Sequence, residues 1–215
     1  VTGGASGIGL AIADAFLTEG ARVVVADRDA AGLLELSGKL ADPARLETIE
    51  IDIAEAGAPE RLAAGAEEIA GPLDVLVNNA GLMAQTPILE IGEAEWDRLF
   101  SVNVRATFFL TQAVARRMAE RRSGAVVSIA SVNALRNESP EAHYNATKAG
   151  IVSMMRSFAN ELSHLGLRFN CVAPGETVSP EEAAGYTDED LARTREYLLR
   201  VPLRRVSRPA EQAGV

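Results

Sequence analysis

Near its start the chain reads Thr2-Gly3-Gly4-Ala5-Ser6-Gly7-Ile8-Gly9, and helical periodicity follows in Leu10-Ala11-Ile12-Ala13-Asp14-Ala15-Phe16-Leu17. No other stretch restricts the fold so sharply. Glycines at 3, 7 and 9 allow a tight strand-to-helix turn and let backbone come close to a ligand. The helix start offers unpaired N–H groups and a positive dipole end, which suit a pyrophosphate. Beyond it, Arg22-Val23-Val24-Val25-Ala26 reads as a buried strand with Asp27 at its carboxyl end. An acid about twenty residues past such a turn is placed to grip ribose hydroxyls. The order of turn, helix, strand and acid predicts a dinucleotide site at Gly3, Ser6, Gly7, Ile8, Gly9, Asp27 and Arg28.

The rest of the chain keeps alternating. Strands are expected at 22–26, 46–51, 73–78, 125–129 and 167–172, and helices at 9–19, 29–41, 59–70, 93–121, 142–164 and 181–199. Such alternation demands a parallel sheet with helices on both faces, a Rossmann-type doubly wound α/β/α sandwich. Val1 would end a first strand, and residues 1–215 read as one domain without repeats or linkers. Ligands of doubly wound sheets bind beyond the carboxyl ends of the strands. Asp27, Asp52 with Ile53, Asn78 to Gly81, Ser131, and Pro174 to Ser179 all follow strands and converge on that rim.

A second pattern concerns chemistry. Tyr144 and Lys148 are four residues apart and share one helix face. The chain holds only two lysines and three tyrosines, so the pairing stands out. An ammonium beside a phenol favours phenolate, and a phenol tuned in this way can exchange a proton with a hydroxyl or carbonyl. The competing reading is a Tyr and a Lys on a solvated helix.

Together these motifs resemble the short-chain dehydrogenase/reductase family in its compact one-domain branch, over nearly the whole chain. The resemblance rests on the Thr2–Gly9 turn, Asn78-Asn79-Ala80-Gly81, Asn103 in Val102-Asn103-Val104, Ser131 in Ser128-Ile129-Ala130-Ser131, Tyr144-x-x-x-Lys148 and Pro174-Gly175. It implies an oxidoreductase that interconverts a secondary alcohol and a ketone. Tyr144 would be the general acid/base, and Lys148 would bind the nicotinamide ribose and lower the Tyr144 pKa. Ser131 would hold the substrate oxygen. Asn103 would hold a water of a proton relay, or else be a helix-interrupting residue bonded to backbone. Asp52 would meet adenine or cap its strand. Asn78 would brace the sheet while its backbone, with Ala80 and Gly81, lines the adenosine side. Pro174, Gly175, Thr177 and Ser179 would sit near the carboxamide.

NAD is expected over NADP, because Asp27 repels a 2′-phosphate; Arg28 argues the other way. An NADPH-dependent 3-oxoacyl-carrier-protein reductase stays open, as do an isomerase or dehydratase and a non-catalytic redox sensor. Glu176 and His143 are both expected at the surface. Residues 180–199 are expected to form a mobile flap.

Composition narrows the partners. The formal charge of −9 argues against nucleic acid. No apolar run reaches membrane-spanning length. One cysteine and two histidines offer no metal-site spacing, and a lone Cys171 fits a cytoplasmic setting. Apolar Phe100, Phe108, Phe109, Met154, Met155 and Phe158 suggest a homodimer or homotetramer. The natural protein is expected to extend past both ends of the sequence, since the first strand and the usual last one are short or missing.

Overall fold

The computed structural model describes residues 1–179 and 183–215. It contains β1 (Val23–Asp27), β2 (Leu46–Glu50), β3 (Val75–Asn78), β4 (Gly124–Ile129) and β5 (Leu167–Val172), all paired in parallel. Val1 and Thr2 lie between β1 and β3. Ala26 N donates to Val1 O at 2.9 Å, and Thr2 N donates to Val77 O at 3.1 Å. The spatial order is therefore β2, β1, the Val1–Thr2 segment, β3, β4, β5. That reversal around the first segment is the switch point where ligand crevices open in doubly wound sheets.

The helices are α1 (Gly7–Thr18), α2 (Ala30–Glu35), α3 (Ala58–Ala70), α4 (Glu93–Phe100), α5 (Thr107–Arg121), α6 (Ala142–Leu162), α7 (Asp188–Leu198) and α8 (Pro209–Ala213). The core lies on both faces of the sheet, as a buried parallel sheet requires. Leu76, Leu110, Val114, Met118, Val126, Met155, Leu167 and Phe169 form one cluster. Leu17, Val23, Val25, Leu33 and Leu36 form a second.

Three expectations change in detail. The helix expected at 29–41 ends at Glu35, and short 3-10 turns follow at Leu36–Gly38 and Pro43–Arg45. Gly38 and Pro43 both disfavour continuing the helix. The stretch 93–121 stays helical, but a π-helical turn at Ser101–Ala106 separates α4 from α5. Within 181–199, helix α7 begins at Asp188, where Thr187 and Asp190 form a capping box; residues 181 and 182 lie outside the described residues. Several apolar side chains read as interface turn inward: Met155 is buried, and Phe108, Phe158 and Phe169 stack in series. Phe109 and Trp96 remain exposed. No helix among the described residues is long and apolar enough to cross a membrane, and no cluster of metal-ligating side chains occurs among them.

Candidate active site

Two cavities adjoin at the carboxyl rim of the sheet. One, of about 530 Å³, is walled by the α1 start and the ends of β1 and β2: Gly3, Ser6, Gly7, Ile8, Asp27, Arg28, Asp52 and Ile53, with Ala80, Gly81 and Thr177 closing it. The other, of about 580 Å³, holds Ser131, Tyr144, Lys148, Pro174, Gly175 and Thr177. Ile8, Asn79, Gly81, Leu82, Met83 and Thr177 belong to both walls, so the two spaces are immediate neighbours.

The glycine turn explains the first cavity. Gly7 has φ +55° and no atom within 4 Å of a would-be Cβ, so its missing side chain leaves room at the helix start. Gly9 lies behind the wall; a Cβ there would overlap the Gly3 carbonyl oxygen. Asp27 fixes this loop by accepting from Ala5 N and Asp29 N, both at 3.0 Å. A carboxylate oxygen has capacity for further donors. A helix N-terminus, an open cradle and an acid at the second strand end fit a dinucleotide. Asp52 accepts from Ala54 N at 2.9 Å, so it caps its own turn while lining the cavity.

Thr2 and Asn79 hold the turn and were not among the expected site residues. Asn79 Nδ2 donates to Thr2 O at 3.0 Å and Gly3 O at 2.9 Å, and Thr2 Oγ1 accepts from Asn79 N and Ala80 N at 3.1 Å. Asn78 braces the sheet as expected, and only the expected lining of the adenosine side by its backbone is corrected. Its side chain is buried the other way, donating to Thr111 Oγ1 (2.9 Å) and Ser128 Oγ (3.1 Å), and it is not in either cavity wall. Strand alternation puts these neighbours on opposite faces. Ser179 also lies outside both walls; its carbonyl accepts from Ala183 N.

In the second cavity, α6 presents Tyr144 and Lys148 together. Lys148 is buried, and its Nζ donates to Ile129 O at 2.9 Å and lies 5.6 Å from the Tyr144 ring centre. Burial pulls its pKa from the ordinary 10.5 down to about 8. The expected lowering of the Tyr144 pKa does not occur. Burial pushes it up, a bond from Ser131 pulls against this, and the Glu141 charge pushes it up further. The Lys148 ammonium is bonded to Ile129 O instead, and burial disfavours its charged form.

Asn103 is fully buried in the π-helical turn. Its Oδ1 accepts from Leu82 N (2.7 Å), and its Nδ2 donates to Leu82 O (2.8 Å) and Thr147 Oγ1 (3.0 Å). Both amide hydrogens are thus used on protein, and the side chain clamps the loop that carries Gly81. π-turns of this kind recur at functional sites.

His143, expected at the surface, is fully buried with Nε2 3.1 Å from Glu95 Oε1. Consecutive helix residues differ by about 100° in direction, so His143 faces α4 while Tyr144 faces the cavity. Glu176 likewise lines the cavity half-buried, accepting from Thr194 Oγ1 at 3.3 Å. Helix α7 crosses the opening with Arg193, Glu196 and Tyr197 in the wall.

Residues 1–190 match the family model described as short chain dehydrogenase. The chain is 34% identical to the 3-oxoacyl-[acyl-carrier-protein] reductase MabA of Mycobacterium tuberculosis over 100% of its own length and 81% of the relative's. It is 36% identical to the L-rhamnose 1-dehydrogenase (NAD(P)(+)) of Azotobacter vinelandii, covering 100% and 85%. The crystal structure of a 3-ketoacyl-(acyl-carrier-protein) reductase from Brucella melitensis complexed with NADH superposes with TM-score 0.87 at 28% identity, covering 99% of this chain and 86% of that one. With the parallel sheet, the glycine cradle and this likeness, the chain belongs to the short chain dehydrogenase family of oxidoreductases.

Proposed function

We propose that the protein is an NAD(H)-dependent oxidoreductase interconverting a secondary alcohol and a ketone, with Tyr144 as general acid/base. One observation carries this reading. Ser131, Tyr144 and Lys148 line a cavity that shares a wall with the one formed by the α1 start and Asp27. Gly3, Ser6, Gly7, Ile8 and Asp27 would hold the dinucleotide, with Lys148 on its second ribose and Thr177 beside the carboxamide. When bound, that cofactor supplies or accepts the hydride.

The residues do the rest. In reduction, Tyr144 gives its proton to the carbonyl oxygen, and in oxidation it takes it back. The raised pKa of the buried phenol keeps that proton available at neutral pH. With substrate in place, the Ser131 hydroxyl turns from the long 3.3 Å bond to Asn133 Oδ1 and donates to the same oxygen, steadying charge that develops there. The Asn103 clamp on Leu82 keeps Gly81 at the junction of the two spaces. NAD is favoured over NADP because the Asp27 carboxylate repels a 2′-phosphate. Exposed Trp96 on α4 and Phe109 on α5 support a homo-oligomer, which light scattering tests.

Tyr144→Phe should cut turnover at least about a hundredfold while leaving cofactor affinity unchanged; retention of a tenth of the wild-type rate would remove Tyr144 from the role. An NADPH-dependent reduction of 3-oxoacyl thioesters is the second reading, favoured by the likeness to MabA. Catalytic efficiency with each cofactor, on sugars, polyols, hydroxy acids and acyl thioesters, separates the two.

A further inference from the structure

The cavity wall beside Tyr144 contains a carboxylate that the mechanism above does not use. Glu141 is buried and is the residue that precedes α6. Its Oε2 accepts from Asn133 Nδ2 at 2.6 Å, and its Oε1 accepts from Gln85 Nε2 at 2.8 Å. Both are neutral donors, so among the described residues the carboxylate is hydrogen-bonded without an ion-pair partner.

Asn133 passes this contact on. Its Nδ2 also donates to Asn145 Oδ1 at 2.8 Å, which uses both amide hydrogens. Its orientation is thereby fixed, with Oδ1 toward Ser131. Ser131 Oγ donates to that Oδ1 at 3.3 Å and accepts from Asn133 N at 3.1 Å. A buried, fully used side chain has one orientation available to it, and its neighbours inherit that constraint.

We propose that Glu141 is a positioning residue of this site: its buried carboxylate aligns Ser131 through Asn133 and places a negative charge in the wall that Tyr144 shares. The inference rests on the reading of Tyr144 as acid/base. A charge that disfavours phenolate keeps Tyr144 protonated to higher pH, making it a weaker acid and, once ionised, a stronger base, so the residue helps set the pH at which alcohol oxidation gains its base. The charge of Glu141 does act on this phenol in the upward direction.

Other charges around Tyr144 are arranged differently. Lys148 on the same helix is turned to Ile129 O, with Cys171 behind it. Glu138 in the preceding loop is paired with Arg200 at 2.9 Å, and Arg136 lies 3.9 Å from Glu138. From α7 come Arg193, bonded to Gln85 Oε1 and Asp190, and Glu196; Glu176 faces in after β5. Tyr186 and Tyr197 are further phenols of the wall. Among the described residues, Glu141 combines burial, a charge without an ion-pair partner and a bonded route to Ser131.

The test is Glu141→Gln, which keeps a side chain able to bond Asn133 and removes the charge. Ultraviolet titration of each protein minus its Tyr144→Phe counterpart isolates this one phenol without needing turnover. The titration should move down by about half a pH unit or more, and the rising limb of kcat/KM for alcohol oxidation should move with it. Asn133→Ala should lower kcat with little change in KM and no downward shift of that limb. An unmoved phenol titration in a Glu141→Gln protein with native circular dichroism overturns the inference. So does wild-type kcat in Asn133→Ala, which decides the matter if Glu141→Gln does not fold. Turnover by Tyr144→Phe would instead overturn the reading of the site and leave the titration result standing on its own.

Discussion

Lys148 Nζ donates to the main-chain oxygen of Ile129 at 2.9 Å, tying the second turn of α6 to the last residue of β4. Lys148 is 5% exposed, and its pKa falls from 10.5 to about 8 because burial disfavours the charged form. For a cation with a depressed folded pKa, the unfolded chain binds more protons between the two values. Stability therefore rises with pH from about 8 to above 10, and the penalty is in full force below about 8. Lys148→Met removes it. The variant should gain about 1–2 kcal/mol at pH 7, after allowing for the lost bond to Ile129, while losing activity. Thermal melts at pH 7 and pH 10 check this. A gain that does not shrink with rising pH would show that the amine is not the source.

Asp27 has two tasks, and substitution should separate them. Its carboxylate accepts from Ala5 N and Asp29 N, which holds the glycine turn against β1. Asp27→Ala should therefore cost about 1–2 kcal/mol in the cofactor-free protein. It should also raise KM for NAD about tenfold or more, and narrow the preference over NADP, as loss of a charge-assisted ribose contact would. Melting without cofactor measures the first effect, and kcat/KM with each cofactor the second. An unchanged cofactor ratio would assign Asp27 to the loop alone.

Asn103 offers a third test. Replacing it with leucine keeps the number and branching of heavy atoms, at a larger volume, and removes every bond to Leu82 and Thr147. The Leu82 N–H and C=O would be left without these partners, at a cost of about 2–4 kcal/mol. Because Leu82 follows Gly81 at the junction of the cavities, KM for cofactor should rise as well. A melting temperature within a degree or two of wild type would show that the clamp is not structural.

The sequence made the order of elements legible because apolar runs and glycine turns carry it locally. β5 has the expected bounds, β4 starts one residue early, and β1 is shifted by one residue at both ends. What it hid depends on direction in space. Asn78 and Asn79 are adjacent and chemically identical, and only the phase of β3 decides which one reaches the glycine turn. His143 and Tyr144 are adjacent too, yet a step round α6 buries one against Glu95 and aims the other into the cavity. The ionisation of Tyr144 was misjudged from the Lys148 spacing alone. Its burial and the charge of Glu141 come from the assembled wall, not from any spacing in the chain.

Helix α7 covers the cavity while holding to it weakly. It contains no buried residue. Its contacts to the wall are Arg193 with Gln85 at 2.8 Å, Thr194 with Glu176 at 3.3 Å, and the Tyr197 hydroxyl, which accepts from Glu176 N at 3.2 Å. Just beyond its end, Arg200 pairs with Glu138 at 2.9 Å. Exposed pairs of this kind contribute about 0–1 kcal/mol each, so the segment 183–199 should open far more readily than the sheet. Amide exchange there should be fast in the free protein and slow once cofactor and substrate are bound, as for a loop that closes on its ligand. Arg193→Ala with Arg200→Ala should speed exchange in this segment and raise KM, with a global stability change of about 1 kcal/mol or less. Protection of 183–199 equal to that of β4 in the free protein would rule out a closing element here, because a helix already locked against the wall has no opening step for a ligand to suppress.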